Sequence, residues 1–172
     1  ADPIYPLAVY DYTADGVAGF AGKVASDKVH MGDHRPAPFG TNKTVDVTAS
    51  EVVTYEASVY VPAGGRMVFH AYNAGSTNGG NRATFDINAG AVHADFQSGW
   101  ASNTLDNSAY NPLTWNKVAI EMDKAANTVK FFLNGNLINT VSGKLDSTNA
   151  FPADFGVSNT TSGVAIDNMK AY

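Results

Sequence analysis

Through much of this chain every second residue is apolar. Alternating or β-branched runs occupy residues 6 to 13, 43 to 48, 51 to 61, 66 to 73, 82 to 88, 91 to 97, 116 to 122, 128 to 133, 136 to 141 and 163 to 172. A period of two marks a strand with one face buried. Turn signals separate the runs: Pro62-Ala63-Gly64-Gly65, Gly75 to Gly80, Asn88-Ala89-Gly90, Lys124 to Asn127, Asn134-Gly135 and Ser142-Gly143. No helical period of useful length interrupts them, so the pattern predicts an all-β, antiparallel sandwich of two sheets, a jelly roll. Asn134-Gly135 is the sharpest local signal, because a two-residue type I′ turn needs positive φ at both centres. "VKFFLNGNLINTV" is therefore expected to be a hairpin, with "WNKVAIEMD" as a half-buried strand feeding it.

The most informative stretch is "RATFDINAGAVHADFQSGW", residues 82 to 100. Alternate side chains of a strand share a face. Ala83, Phe85, Ile87, Val92, Ala94 and Phe96 should then face the core, while Arg82, Thr84, Asp86, Asn88, His93, Asp95 and Gln97 point outward. The preceding "RMVFHAYN" sends Met67, Phe69 and Ala71 inward and Arg66, Val68, His70 and Tyr72 outward. Three successive strands are thus expected to display one composite polar surface. An ordinary solvated face carries Lys, Glu, Thr and Ser. This one carries Arg, His, Tyr, Asp and Gln, which fork hydrogen bonds to vicinal hydroxyls or carboxylates and stack on sugar rings.

Composition narrows the function classes. At 172 residues the chain fits one domain, spanning 1 to 172, with a core that needs no staples. It has no cysteine, so disulfides, thiolate metal sites and cysteine nucleophiles are excluded. Its formal charge is −5 and it contains no basic run, which argues against a duplex nucleic-acid partner. No stretch approaches the roughly 18 apolar residues of a membrane helix. The opening Ala-Asp-Pro suits either the edge of a cleaved signal peptide or the cut edge of a longer chain. Sixteen glycines and only 16% charged residues resemble secreted β-domains, so an extracellular location is expected.

Trp115, Val118-Ala119, Asp123 and "VKFFLNGNLI" together resemble the signature strands of laminin-G-like domains in the concanavalin-A-like lectin/glucanase superfamily. The closing "VAIDNMKAY" is similar to the last strand of carbohydrate-binding-module jelly rolls appended to polysaccharide-degrading enzymes. That resemblance covers about a third of the chain. It implies the fold, oligosaccharide binding across a concave sheet, and a calcium ion bridging the first and last strands, with Asp167 and Asp11 as its ligands. Trp115 would then begin a core strand and pack inside.

The reading that follows is a non-catalytic carbohydrate-binding module, a lectin-like monomeric part of a larger polysaccharide-active protein. Its ligand residues would be Arg66, His70, Tyr72, Arg82, Asp86, His93, Asp95, Gln97 and Trp100. Trp100 either stacks on a sugar or plugs the sandwich edge. The cationic candidates favour an acidic polysaccharide such as alginate, against the pull of the net charge. "HMGDHRPAPFG", carrying His30, Asp33, His34 and Arg35, is expected to be an irregular loop that would wall one end of the groove.

Two alternatives are an enzyme and an adhesion domain. Superfamily glucanases carry Glu-x-Asp-x-x-Glu on one strand, whereas Glu121-Met122-Asp123-Lys124-Ala125-Ala126 lacks the second Glu. Jelly-roll alginate lyases use Arg, Gln, His and Tyr on the concave sheet. Arg82-Ala83-Thr84-Phe85 and Val92-His93 resemble two of their strands, but Thr84 and Val92 stand where those enzymes have Glu and Gln. Tyr72 with His70 or His93 would be the base and acid of such a lyase. A laminin-G-like adhesion domain should instead expose an apolar patch.

Overall fold

In a computed structural model the described residues are 8–10, 29–31, 51–72, 81–145, 155–157 and 164–172. Their regular elements are all strands. In chain order these are β1 (Ala8–Tyr10), β2 (Val29–Met31), β3 (Val52–Tyr60), β4 (Arg66–Tyr72), β5 (Asn81–Asn88), β6 (Ala91–Ser98), β7 (Trp115–Asp123), β8 (Thr128–Leu133), β9 (Asn136–Ser142), β10 (Phe155–Val157) and β11 (Ala165–Ala171). They form a six-stranded sheet in the order β1-β11-β3-β7-β8-β9 and a five-stranded sheet in the order β2-β10-β4-β5-β6. Every ladder is antiparallel, and the result is the β-sandwich that the period of two predicts. The expected strand at 43 to 48 lies outside the described residues.

The core is the meeting of two inner faces. From the six-stranded sheet come Val53, Tyr55, Val59, Val118, Ile120, Met122, Phe131 and Leu133. From the five-stranded sheet come Met67, Phe69, Phe85, Ile87, Phe96 and Phe155, and all of these are fully buried. Aromatic rings bridge the layers: Phe85 meets Phe131 at 6.3 Å and Tyr55 meets Phe155 at 5.2 Å between centroids. Each large side chain removed from water stabilises the sandwich by about 1.5–3 kcal/mol.

Turn chemistry sets the register of two hairpins. Asn134 and Gly135 adopt φ of 52° and 83°, the type I′ turn expected between β8 and β9. Ala89 and Gly90 do the same between β5 and β6, at 48° and 84°. Asn134 also fastens its surroundings. Its Oδ1 accepts from the Lys117 amide, and its Nδ2 donates to the Ala109 carbonyl and to Asn116 Oδ1.

Trp115 departs from expectation. It is 47% exposed rather than packed in the core. Parity decides this: Val118, Ile120 and Met122 point inward, so the strand's inward position at its start falls to Asn116, which is 1% exposed. The Asn116 amide tolerates that place because it bonds the Asn111 and Thr114 carbonyls and accepts from the Asn111 amide. Trp115 lies on the outer face, edge-on to its ladder partner Tyr60 at 6.3 Å.

Candidate functional site

The three strands β4, β5 and β6 are consecutive in sequence and adjacent in the sheet, so residues 66–72 and 81–98 build most of one outer face. The ladders arrange its side chains in rungs. Tyr72, Arg82 and Gln97 form one rung, and His70, Thr84 and Asp95 the next. Val68, Asp86 and His93 follow, and then Arg66, Asn88 and Ala91. β10 and β2 extend the second rung, placing Gly156 opposite His70 and His30 opposite Gly156. His30 thus sits in a strand rather than in the irregular loop expected for 30 to 40. The composite surface expected from alternation is present in register.

Its centre is not open to water, however. His70, Thr84 and Val68 are fully buried and Asp86 is 2% exposed, whereas Arg82, His93, Asp95, Gln97 and Trp100 are half-buried. Part of the cover is Trp100, which follows β6 and turns back across the face. Its ring stands edge-on to His70 at 5.6 Å between centroids, and the Arg82 guanidinium lies over it at 4.6 Å. This arrangement combines the two roles considered for Trp100: the ring closes one end of the face while holding an arginine in a fixed plane. At this half-buried position a cation–π contact contributes about 1–2 kcal/mol.

Several predicted ligand residues are engaged within the protein. Arg66 donates from Nε and Nη2 to the two oxygens of Asp86, at 3.2 and 2.6 Å. The hydrogen bond to Asp86 raises the Arg66 pKa from its ordinary value, burial opposes the rise, and the charge of Asp86 adds to it. His93 Nδ1 is in close contact with the Asn103 carbonyl. Asp95 Oδ1 accepts from the Phe96 amide, and Gln97 Nε2 donates to the Trp100 carbonyl at 2.7 Å, which anchors the tryptophan's backbone to the sheet. Thr84 differs from all of these, since its buried Oγ1 has no hydrogen-bond partner among the described residues. A hydroxyl left so costs about 1–3 kcal/mol.

Sequence reasoning missed Asn103. Its side chain pairs with β6 as a neighbouring strand would, accepting from the Ala94 amide at 3.1 Å and donating to the Ala94 carbonyl at 2.9 Å. It thereby pins the loop after Trp100 beside the site. One asparagine in an aperiodic loop carries no signal that could have found it.

Of the two calcium candidates, Asp11 lies outside the described residues. Asp167 stands opposite Ser58 in the β11–β3 ladder, while β1 ends with Tyr10 opposite Met169 on the same strand. Among the described residues no three His, Asp or Glu side chains gather to hold a metal ion.

In solved structures the same sandwich recurs. Sheep galectin-11, in complex with glycerol, superposes with a TM-score of 0.55 at 12% identity, over 75% of this chain and 94% of its own. The galectin LEC-6 of Caenorhabditis elegans gives 0.52 at 12% identity, over 75% and 87%. The carbohydrate-binding module CBM66 of Bacillus subtilis gives 0.50 at 12%, over 71% and 75%. The fold they share with this chain is the two-sheet antiparallel jelly roll. No family model matches the chain, and no curated protein matches it in sequence.

Proposed function

We propose that the protein is a non-catalytic carbohydrate-binding module that holds a polysaccharide against the outer face of β4, β5 and β6. The observation that carries this reading is the Arg82–Trp100 stack, a guanidinium held rigid beside half-buried Gln97 and Asp95. Arg82 and His93 reach hydroxyls or a ligand carboxylate, Asp95 and Gln97 bond hydroxyls, and Trp100 offers its ring. Arg66 and Asp86, already joined to each other, and buried His70 position the face rather than contact the sugar. Tyr72 completes the Arg82 rung.

A planar cationic donor held at one end of the face favours an acidic, uronate-rich chain such as alginate. His70, buried against Trp100, is poorly placed to move a substrate proton, which weighs against the lyase alternative. Secretion, attachment to a polysaccharide-active protein and a monomeric state complete the reading. The affinity expected is micromolar to millimolar, roughly −8 to −4 kcal/mol, because sugar hydrogen bonds largely replace bonds to water.

Affinity electrophoresis through gels containing neutral or uronate-rich polysaccharides tests this, with polymer size measured after overnight contact. Retardation by a uronate polymer that stays intact is expected, and Arg82→Ala or Trp100→Ala should weaken it about tenfold, the equivalent of ~1.4 kcal/mol. Shortened polymer would make the same face catalytic, and equal retardation of both variants and the parent would move the site elsewhere.

A further inference from the structure

The outer face of the other sheet carries a cleft that the proposed glycan face leaves unexplained. Its floor follows one rung across β11, β3, β7 and β8, where Lys170, Glu56, Ala119 and Phe132 are successive ladder partners. Ala119 is the small residue of that rung, and over it opens a space of about 210 Å³ bounded by Glu56, Lys117, Glu121, Phe132 and Tyr172. Such a volume suits one sugar ring, not a chain.

Glu56 is the chemical centre of the cleft. Only 2% exposed, it has Oε1 3.0 Å from Lys170 Nζ and Oε2 2.9 Å from Lys117 Nζ. The second contact is an ion pair without hydrogen-bond geometry, so buried Oε2 keeps an unfilled acceptor position. Lys117 is 56% exposed and adds little to stability through that pair. For stability alone, an apolar side chain would serve the rung as well as a buried carboxylate. Once the exposed Lys117 side chain swings off Oε2, a carboxylate acceptor beside an ammonium donor is the pair that a vicinal diol satisfies, one hydroxyl to each. Phe132 and Tyr172, both half-buried, supply ring faces at its sides, and the Lys170 ammonium lies 5.8 Å from the Tyr172 ring.

We propose that this cleft is a second saccharide site, specific for a single neutral hexopyranose such as a chain end or branch. Against an acidic sugar stands the acceptor itself: Glu56 and Glu121 both line the cleft, and each nearby lysine is already paired with one of them, Lys117 and Lys170 with Glu56 and Lys130 with Glu121. This inference stands apart from the reading of the β4–β6 face, on the opposite sheet. Together the two sites would make the domain bivalent, able to hold an acidic chain on one face and a neutral chain end or branch on the other.

Amide chemical-shift mapping on the full chain tests it, with methyl glucoside, methyl galactoside, methyl mannoside and glucuronate as probes. With at least one neutral glycoside, amides of Ala119, Phe132, Gly135 and Tyr172 should shift, and glucuronate should leave them in place. The shifts should persist in Arg82→Ala, which addresses the other face. They should weaken at least tenfold both in Ala119→Leu, which fills the floor, and in Tyr172→Ala, which removes a wall and guards against misfolding of the first variant. The proposal is overturned by no shift up to about 100 mM glycoside, far above the ~1 mM expected of a shallow site. Shifts confined to residues 66 to 100, unchanged affinity in both variants, or equal binding of glucuronate would overturn it too.

Discussion

Arg66→Met and Asp86→Asn break the same ion pair from its two ends, and the structure predicts that they are not equivalent. Asp86 is 3% exposed at its side chain and Arg66 32%. Removing the arginine leaves a buried carboxylate without its two charge-assisted bonds. A fully buried pair broken this way costs about 3–5 kcal/mol, and the partial exposure of Arg66 lets water recover some of that, giving about 2–3 kcal/mol. Removing the carboxylate charge instead leaves the guanidinium, which can turn to solvent, and keeps an amide oxygen for it to bond. That change should cost only about 1 kcal/mol. At about 2–4 °C per kcal/mol for a domain of this size, Arg66→Met should lower the melting temperature by about 4–12 °C and Asp86→Asn by about 2–4 °C. Urea unfolding of both variants and the double mutant at pH 7 measures the difference directly. If Asp86→Asn proved the more damaging, or Arg66→Met fell within 0.5 kcal/mol (~2 °C) of the parent, the carboxylate would not be the desolvated partner and the reasoning would fail.

Three further outcomes follow from other parts of the molecule. Asn134→Ala removes three hydrogen bonds and puts alanine at a φ of 52°, so a loss of about 3–4 kcal/mol in denaturant unfolding is expected; less than 1 kcal/mol would mean the turn holds itself. Burial pushes the Tyr55 hydroxyl well above its usual pKa of 10.0, so its contribution is fully present below pH 10 and is lost as pH rises from there towards the folded value. Burial and the neighbouring Tyr60 charge raise Tyr110 in the same sense, so the alkaline loss of stability should be reduced in Tyr55→Phe but not abolished. An unchanged slope against pH would remove Tyr55 from that account. For the proposed calcium between Asp11 and Asp167, Asp167→Asn should lower the melting temperature in calcium and have little effect in chelator, and an equal drop in both sinks the metal.

Local rules made much of the fold legible. The Asn134-Gly135 turn formed as its φ requirement dictated, and the parity of residues 82 to 97 placed every side chain on the expected face. β2 and β10 escaped because three residues carry no period, and their strand character comes only from pairing with β4 and with each other. Trp115 was misplaced because hydrophobicity argued for the core while parity argued against it, and the four bonds to the Asn116 amide settled the contest. For the candidate site, residue types were readable but their partners were not. Nothing local announces that Arg66 spends itself on Asp86, or that Trp100 folds back over Arg82, since both depend on side chains from different strands or from the following loop.

Asn103 has a consequence for how copies of this protein meet. β6 ends the order of its sheet, and an edge strand presents backbone donors and acceptors that can recruit a foreign strand. At Ala94 those valences are already taken: Asn103 binds both its amide and its carbonyl, Asn139 donates to the same carbonyl at 2.8 Å, and the Leu105 amide takes the Val92 carbonyl. Two asparagine side chains and a loop amide thus act as a selvedge, the finished margin that keeps a fabric from ravelling or being sewn to its neighbour. Copies of the domain brought close together are thereby protected at β6 from zipping into one another.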